Sequence, residues 1–236
     1  MIKIIFFDMD VTLIDLHTGQ MSENTKLCLG KLRQNGIKIC VATGRLPNNL
    51  PRFPSVDFDA WLTLNGSYCF DASGTVFANP LPGESARKIA KNAAELGLPV
   101  SFAVEADGNF SRPTQLSGTD TVYQAMVQCP QAQCAGLLQG VEGAKIVSWW
   151  EKAVDIIPVD GGKGRGIREM LAYYRLHRSE AMAFGDGDND MEMLEAVGTG
   201  IAMGNATDQL KAVADGVCGP VWQDGVYHYC LEHGLI

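Results

Sequence analysis

The stretch from Ile2 to Phe7 is mostly β-branched or aromatic, apolar on both parities, and stops abruptly at Asp8. A strand with one wet face would alternate polar and apolar residues, so this one predicts a strand covered on both sides, as in a parallel sheet. The following residues extend that reading. Ser22 offers an N-cap to an amphipathic stretch ending at Gln34, Asn35-Gly36 closes it, and Ile37 to Ala42 forms a second apolar strand. The result is a strand, helix, strand unit. Trp61 to Leu64 suggests a third strand, followed by a hairpin of Tyr68 to Phe70 and Thr75 to Phe77 around Asp71-Ala72-Ser73-Gly74.

From about Pro82 to Pro158 the pattern changes. A helical run from Glu84 to Leu96, a strand candidate from Val100 to Val104, an uncharged middle and a strand candidate from Lys145 to Trp150 read as a second unit. Alternation then resumes, with helix (Gly164 to Tyr174), strand (Ala181 to Phe184), helix (Asn189 to Ala196) and strand (Thr199 to Met203). The expected fold class is therefore α/β: a Rossmann-like, doubly wound parallel sheet (residues 1–81 and 159–236) interrupted by an α+β cap at 82–158. Within the cap, Trp149-Trp150 would send one ring inward and one to the opposite face.

Composition narrows the partners. With 19 basic and 27 acidic side chains the net charge is −8, a field that repels nucleic acid and anionic membranes. The apolar N-terminal run is too short for a signal peptide or span. The long uncharged stretch from Thr121 to Val141 carries glutamines and Pro130, so it reads as no membrane helix either. Seven cysteines, odd in number and lacking any C-x-x-C pair, read as buried thiols of a reducing, cytoplasmic compartment. His17, His177, His228 and His233 are scattered without ligand spacing.

Chemistry concentrates where strands end. Asp8-Met9-Asp10 places two carboxylates on one face at the carboxyl end of the first strand, the edge at which open α/β sheets bind ligands. Such a pair suits magnesium, although solvated loop acids would look the same. Ala42-Thr43-Gly44-Arg45 ends the second strand with a hydroxyl, a glycine and a phosphate-gripping guanidinium, and could equally be a simple turn. Lys163 opens a helix after Asp160-Gly161-Gly162 without the spacing of a nucleotide-binding P-loop. Gly185-Asp186-Gly187-Asp188-Asn189-Asp190 supplies an acid cluster that lacks the EF-hand pattern.

Four such strand ends in this order resemble the haloacid dehalogenase-like superfamily of aspartyl phosphatases. Asp8 to Leu13 looks like its first motif, Thr43 its second, Lys163 its third, and Gly185-Asp186 through Asn189-Asp190 its fourth. Between Asp10 and Thr43 there is room only for a loop, a helix and a strand, whereas Arg45 and Lys163 stand more than a hundred positions apart. An insertion there, with Thr43-Gly44-Arg45, Asn65-Gly66 and Asp224-Gly225-Val226, resembles the Cof-type (subfamily IIB) members with a C2 cap. One residue departs from the family pattern: Val11 stands where glycine is usual.

The resemblance implies a magnesium-dependent phosphatase acting on a small phosphorylated metabolite such as a sugar phosphate. Asp8 would be the nucleophile and Asp10 the general acid and base, with Thr43 and Lys163 holding the transferring oxygens. Asp8, Asp10 (through its backbone carbonyl) and Asp186 would bind the metal, supported by Asp190. Gly44, Arg45, Asn65 and Asn189 would face the substrate. Alternatives are a sugar-phosphate mutase of the same superfamily and a catalytically weak phospho-ligand-binding protein, the latter motivated by Val11. Arg112 and Lys145 are cap cations that could reach a leaving group, Asp188 reads as a solvent-facing acid, and the chain is expected to be a monomer or small homo-oligomer.

Overall fold

The computed structural model describes residues 1–150 and 152–236; the side chains of Gln131, Ala132, Trp149 and Trp150, and with them the expectation for the two tryptophan rings, lie outside the described residues.

Among the described residues, eight strands form one sheet: β1 (Ile4–Phe7), β2 (Lys38–Ala42), β3 (Ala60–Thr63), β4 (Tyr68–Asp71) and β5 (Gly74–Ala78), then β11 (Ala181–Gly185), β12 (Thr199–Ala202) and β13 (Gly216–Val217). Their spatial order is β13-β12-β11-β1-β2-β3-β4-β5. Pairing is parallel from β13 to β3 and antiparallel through the hairpin of β4 and β5. Ile4, Ile5, Phe6 and Phe7 have no exposed surface. Because successive side chains of a strand point to opposite faces, both faces of the sheet are covered at β1. Phe7 stacks on Phe184 of the adjacent β11, with ring centroids 5.4 Å apart.

Helices α1 (Glu23–Gln34), α3 (Lys163–Tyr174), α4 (Met191–Ala196), α5 (Asp208–Val213) and α6 (Gly225–Glu232) cover this sheet. Ser22 caps α1 by accepting from the Thr25 amide. Packing of α1 on α6 and of α3 on α4 completes the layers.

The second sheet joins β6 (Val100–Ala106), β7 (Asn109–Ser111), β8 (Thr121–Val127), β9 (Ala144–Trp150) and β10 (Ala153–Pro158) in the antiparallel order β7-β6-β8-β10-β9, with α2 (Gly83–Glu95) on one face. Phe102, Val104, Val127, Val154 and Ile156 pack with Ile89 and Ala93 of α2. The opposite face is turned to the first sheet. There Ala103, Phe110 and Tyr123 pack with Leu46, Leu64 and Tyr68 in a small aromatic cluster, and Lys145 pairs with Glu192 at 2.5 Å. The fold is thus α/β, a largely parallel sheet core with a separate antiparallel cap sheet.

All seven cysteines are free and only Cys218 is more than marginally exposed. Among the described residues, no helix is long and apolar enough to cross a membrane.

Candidate active site

Parallel strands deliver their carboxyl ends to one edge. Asp8 follows β1, Thr43 follows β2, Leu64-Asn65 follow β3, and Asp186 follows β11. Lys163 is the first residue of α3, which re-enters the sheet from the cap.

Lys163 is 1% exposed and lies between two carboxylates, 2.5 Å from Asp8 Oδ1 and 2.6 Å from Asp190 Oδ1. Burial alone would push its ammonium down, yet the adjoining charges of Asp190 and Asp8 outweigh this and hold it above the usual lysine range. Asp190 is fully engaged: its Oδ2 accepts from the backbone amides of Asp186 (2.9 Å) and Gly187 (3.1 Å). It therefore fixes the turn after β11 as well as the lysine. Asp186 Oδ1 accepts from Thr12 at 2.8 Å.

Charge in this cluster is not balanced. Burial, opposed by Lys163 and reinforced by Asp190 and Asp10, pushes the Asp8 carboxyl up to about 7. Burial and then repulsion from Asp8 and Asp190 push Asp186 up to about 8, despite the Thr12 hydrogen bond. Carboxylate oxygens of Asp8, Asp186 and Asp190 lie within 4.8 Å of one another. One ammonium for three converging carboxylates leaves negative charge for a further cation to offset, and an all-oxygen donor set suits a hard divalent ion.

The second strand end behaves differently from a bare phosphate grip. Arg45 donates to both oxygens of Asp10, Nε to Oδ2 at 3.0 Å and Nη2 to Oδ1 at 2.6 Å. That bidentate pair orients the Asp10 carboxylate and raises the arginine's own basicity. Thr43 is 2% exposed, and its hydroxyl accepts from the Arg45 amide at 3.2 Å. Asn65 is buried, with its amide nitrogen turned to the cap. Asn189 sits in the short 3-10 turn Asp188–Asp190, and exposed Asp188 accepts from Thr207 at 2.6 Å. Of the two cap cations, Lys145 is taken up by Glu192, and Arg112 contacts Met126 sulfur at 3.3 Å.

Val11 adopts φ 66°, the left-handed region that disfavours a β-branched side chain. A turn holds it there: the Leu13 and Ile14 amides both reach Met9 O, and the Val11 amide reaches Ile14 O at 2.8 Å. Asn205 adds a brace, donating to Val11 O at 3.0 Å while accepting from the Val221 amide at 2.8 Å. The loop conformation that glycine favours is thus kept with valine in it.

Sequence motifs did not single out Thr12, Asn205, Gln124 or Asp155. Thr12 lies inside the Asp8 to Leu13 segment and had a positional signal; Gln124 lies in the uncharged stretch from Thr121 to Val141, and neither it, Asp155 nor Asn205 belongs to a motif.

Comparisons with known proteins place the chain's family and fold. A sequence model for haloacid dehalogenase-like hydrolases matches residues 5–128 and 116–230. The chain is 31% identical over 255 aligned positions to YkrA of Bacillus subtilis (strain 168), provisionally named a phosphatase, covering 99% of this chain and 98% of YkrA. It is 25% identical to the pyridoxal phosphate phosphatase YbhA of Escherichia coli (strain K12), over 98% of each chain. Among solved structures, the HAD subclass IIB sugar phosphatase BT4131 superposes with a TM-score of 0.89 at 27% identity, covering 99% of this chain and 100% of that one.

Proposed function

Because this chain belongs to the haloacid dehalogenase-like hydrolase family, we propose that it is a magnesium-dependent phosphatase that releases inorganic phosphate from a small phosphorylated metabolite through an aspartyl phosphate on Asp8. The carrying observation is the Asp8 carboxylate at the end of β1, held by Lys163 inside the Asp8, Asp186, Asp190 cluster.

In this reading Asp8, the Asp10 backbone carbonyl and Asp186 would hold the metal, and Asp190 braces the Asp186 turn and Lys163. Bound magnesium supplies positive charge that keeps Asp8 ionised and offsets its repulsion of the phosphoryl group. An Asp8 oxygen attacks phosphorus in line while the bond to the leaving oxygen breaks. Asp10, once one of its oxygens is released from Arg45 and has taken up a proton, gives that proton to the leaving oxygen; it then takes a proton from the water that attacks phosphorus, as the bond to Asp8 breaks. Phosphate leaves and both aspartates are restored. Thr43 and Lys163 hold the transferring oxygens, for which a buried ammonium and hydroxyl are suited.

We assign the core to residues 1–81 and 159–236, and the leaving-group-selecting cap to 82–158. Sugar phosphates or similar phosphomonoesters are the proposed substrate class, in keeping with relatives named for a sugar phosphate and for pyridoxal phosphate. A cytoplasmic location fits the free, buried thiols.

The test is phosphate release from para-nitrophenyl phosphate and a panel of phosphorylated sugars, with and without magnesium. The wild type should turn over and Asp8→Asn should not, while keeping its circular dichroism. Turnover by Asp8→Asn near the wild-type rate would sink the mechanism, and isomer interconversion without phosphate release would favour a mutase.

A further inference from the structure

In β10 the residues alternate: Val154 and Ile156 face the cap's own apolar cluster, and Asp155 between them points the other way, 3% exposed. Asp155 is opposite Met126 of β8, so Gln124, two residues before Met126, shares that face and is a diagonal neighbour. Gln124 is 1% exposed. A buried carboxylate and a buried amide on the core-facing side of a cap are costly unless they are paired.

Two loops of the core supply partners to both, while Arg112 of the cap adds a positive charge near Asp155. Asn65 Nδ2 donates to Gln124 Oε1 at 3.0 Å and to Asp155 Oδ2 at 2.9 Å, using both of its hydrogens. Gln124 Nε2 in turn reaches Gly44 O at 3.4 Å. Asn65 is tied by its own backbone to the same loop: its amide donates to Thr43 O at 2.9 Å, and the Leu64 amide to Arg45 O at 3.1 Å. A hydrogen-bonded circuit thus runs from the cap to Gly44, through Thr43 to Asn65, and back to the cap.

The core side of this circuit is strained. Leu64, Asn65 and Gly66 are all left-handed, with φ 52°, 54° and 82°. At Gly66 a side chain is also excluded by space, since a Cβ would stand 2.6 Å from Gly162 O, next to the lysine-bearing turn. Three consecutive left-handed residues persist only where surrounding contacts over-determine them. Asn65 Oδ1 has no partner among the described residues, so the segment depends on its amide nitrogen. Gly44 is likewise enclosed: a Cβ there would lie 3.3 Å from both Asn65 Nδ2 and Asp155 Oδ2.

We propose that Gln124 and Asp155 are positioning residues that, through Asn65, couple the seating of the cap to the shape of the loop Thr43–Arg45, and so to the placement of Thr43 and of the Arg45–Asp10 pair. The inference rests on the phosphatase reading, in which that loop holds the phosphoryl group and aims the general acid. An ångström of misplacement at reacting groups costs on the order of 100-fold in rate. A cap residue two contacts removed should therefore be felt in kcat even with a leaving group that the cap hardly touches.

The experiment compares Gln124→Ala, Asp155→Ala and Asp155→Asn in the full chain with magnesium and para-nitrophenyl phosphate, alongside backbone hydrogen exchange. Gln124→Ala and Asp155→Ala should lower kcat about 10- to 100-fold with little change in KM. Asp155→Asn, which keeps an acceptor for Asn65, should recover most of the rate. The Asn65 amide should exchange faster in both alanine variants, while the Met203 amide, bonded to Gly185 O and remote from the cap, should not change. Unchanged kcat together with unchanged Asn65 exchange would overturn the coupling and leave the phosphatase reading intact. A rise in KM alone would overturn it too, marking both residues as leaving-group contacts. A wild type that releases no phosphate would instead refute the phosphatase reading, and exchange at Asn65 would still decide the coupling. If one alanine variant fails to fold, the other carries the same comparison.

Discussion

Replacing Asp186 with asparagine should stabilise the metal-free protein. The substitution removes one of three converging carboxyl groups and keeps the carbonyl that accepts from Thr12 at 2.8 Å. In the fold the Asp186 carboxyl is pushed from 3.8 up to about 8. The folded state therefore holds a proton that the unfolded state has lost, and stability falls as pH rises through that interval. The cost is absent below the unfolded value and complete above the folded one. At pH 7 about three units of the interval have been crossed, worth roughly 4 kcal/mol at 1.36 kcal/mol per unit. Partial solvent access to Asp186 and the shared Lys163 reduce this to about 1–3 kcal/mol. Urea unfolding in EDTA at pH 8 should place the Asp186→Asn midpoint above that of the wild type, and the gap should close by pH 4. Magnesium should then raise the wild-type midpoint and leave the variant's nearly unchanged. A variant less stable than the wild type in EDTA at pH 8, or a gap independent of pH, would refute the reasoning.

Two further perturbations follow from the same loops. Val11→Gly should be more stable than Val11→Ala by about 1 kcal/mol in thermal unfolding, because both lose most of the side chain but only alanine keeps a Cβ at φ 66°; equal or reversed stabilities would contradict the strain assignment. Lys163→Met should lower stability by about 3–5 kcal/mol at pH 8, since it strands the Asp8 and Asp190 carboxylates without their buried cation. Denaturant titration checks this, and the loss should shrink at pH 4.

Much of the core was legible because its signals are local. The two-sided apolar run gave β1, found at Ile4–Phe7, and Ser22 marked the start of α1. Strand ends carrying Asp8, Thr43 and Asp186 could be recognised since β1, β2 and β11 are apolar up to the residue before chemistry begins. The cap was less legible. The uncharged segment from Thr121 holds β8, whose burial on both faces and internal Gln124 hide the alternation that would announce a strand. β10 was not anticipated for a related reason: Asp155 is buried, so no polar and apolar periodicity of exposure exists to read. At the active edge, motif order could bring Asp10 and Arg45 to one place but not pair them, because a guanidinium suits a carboxylate as well as a phosphate. The partners of Asn65 lie 59 and 90 positions away and have no sequence signal at all.

The most direct test of the account is to quench the reaction in acid within the first turnover, using substrate carrying radiolabelled phosphate. Protein-bound label that hydroxylamine releases should appear on the peptide containing Asp8 and be absent from Asp8→Asn. Label on any other residue, or full turnover by Asp8→Asn, would contradict it.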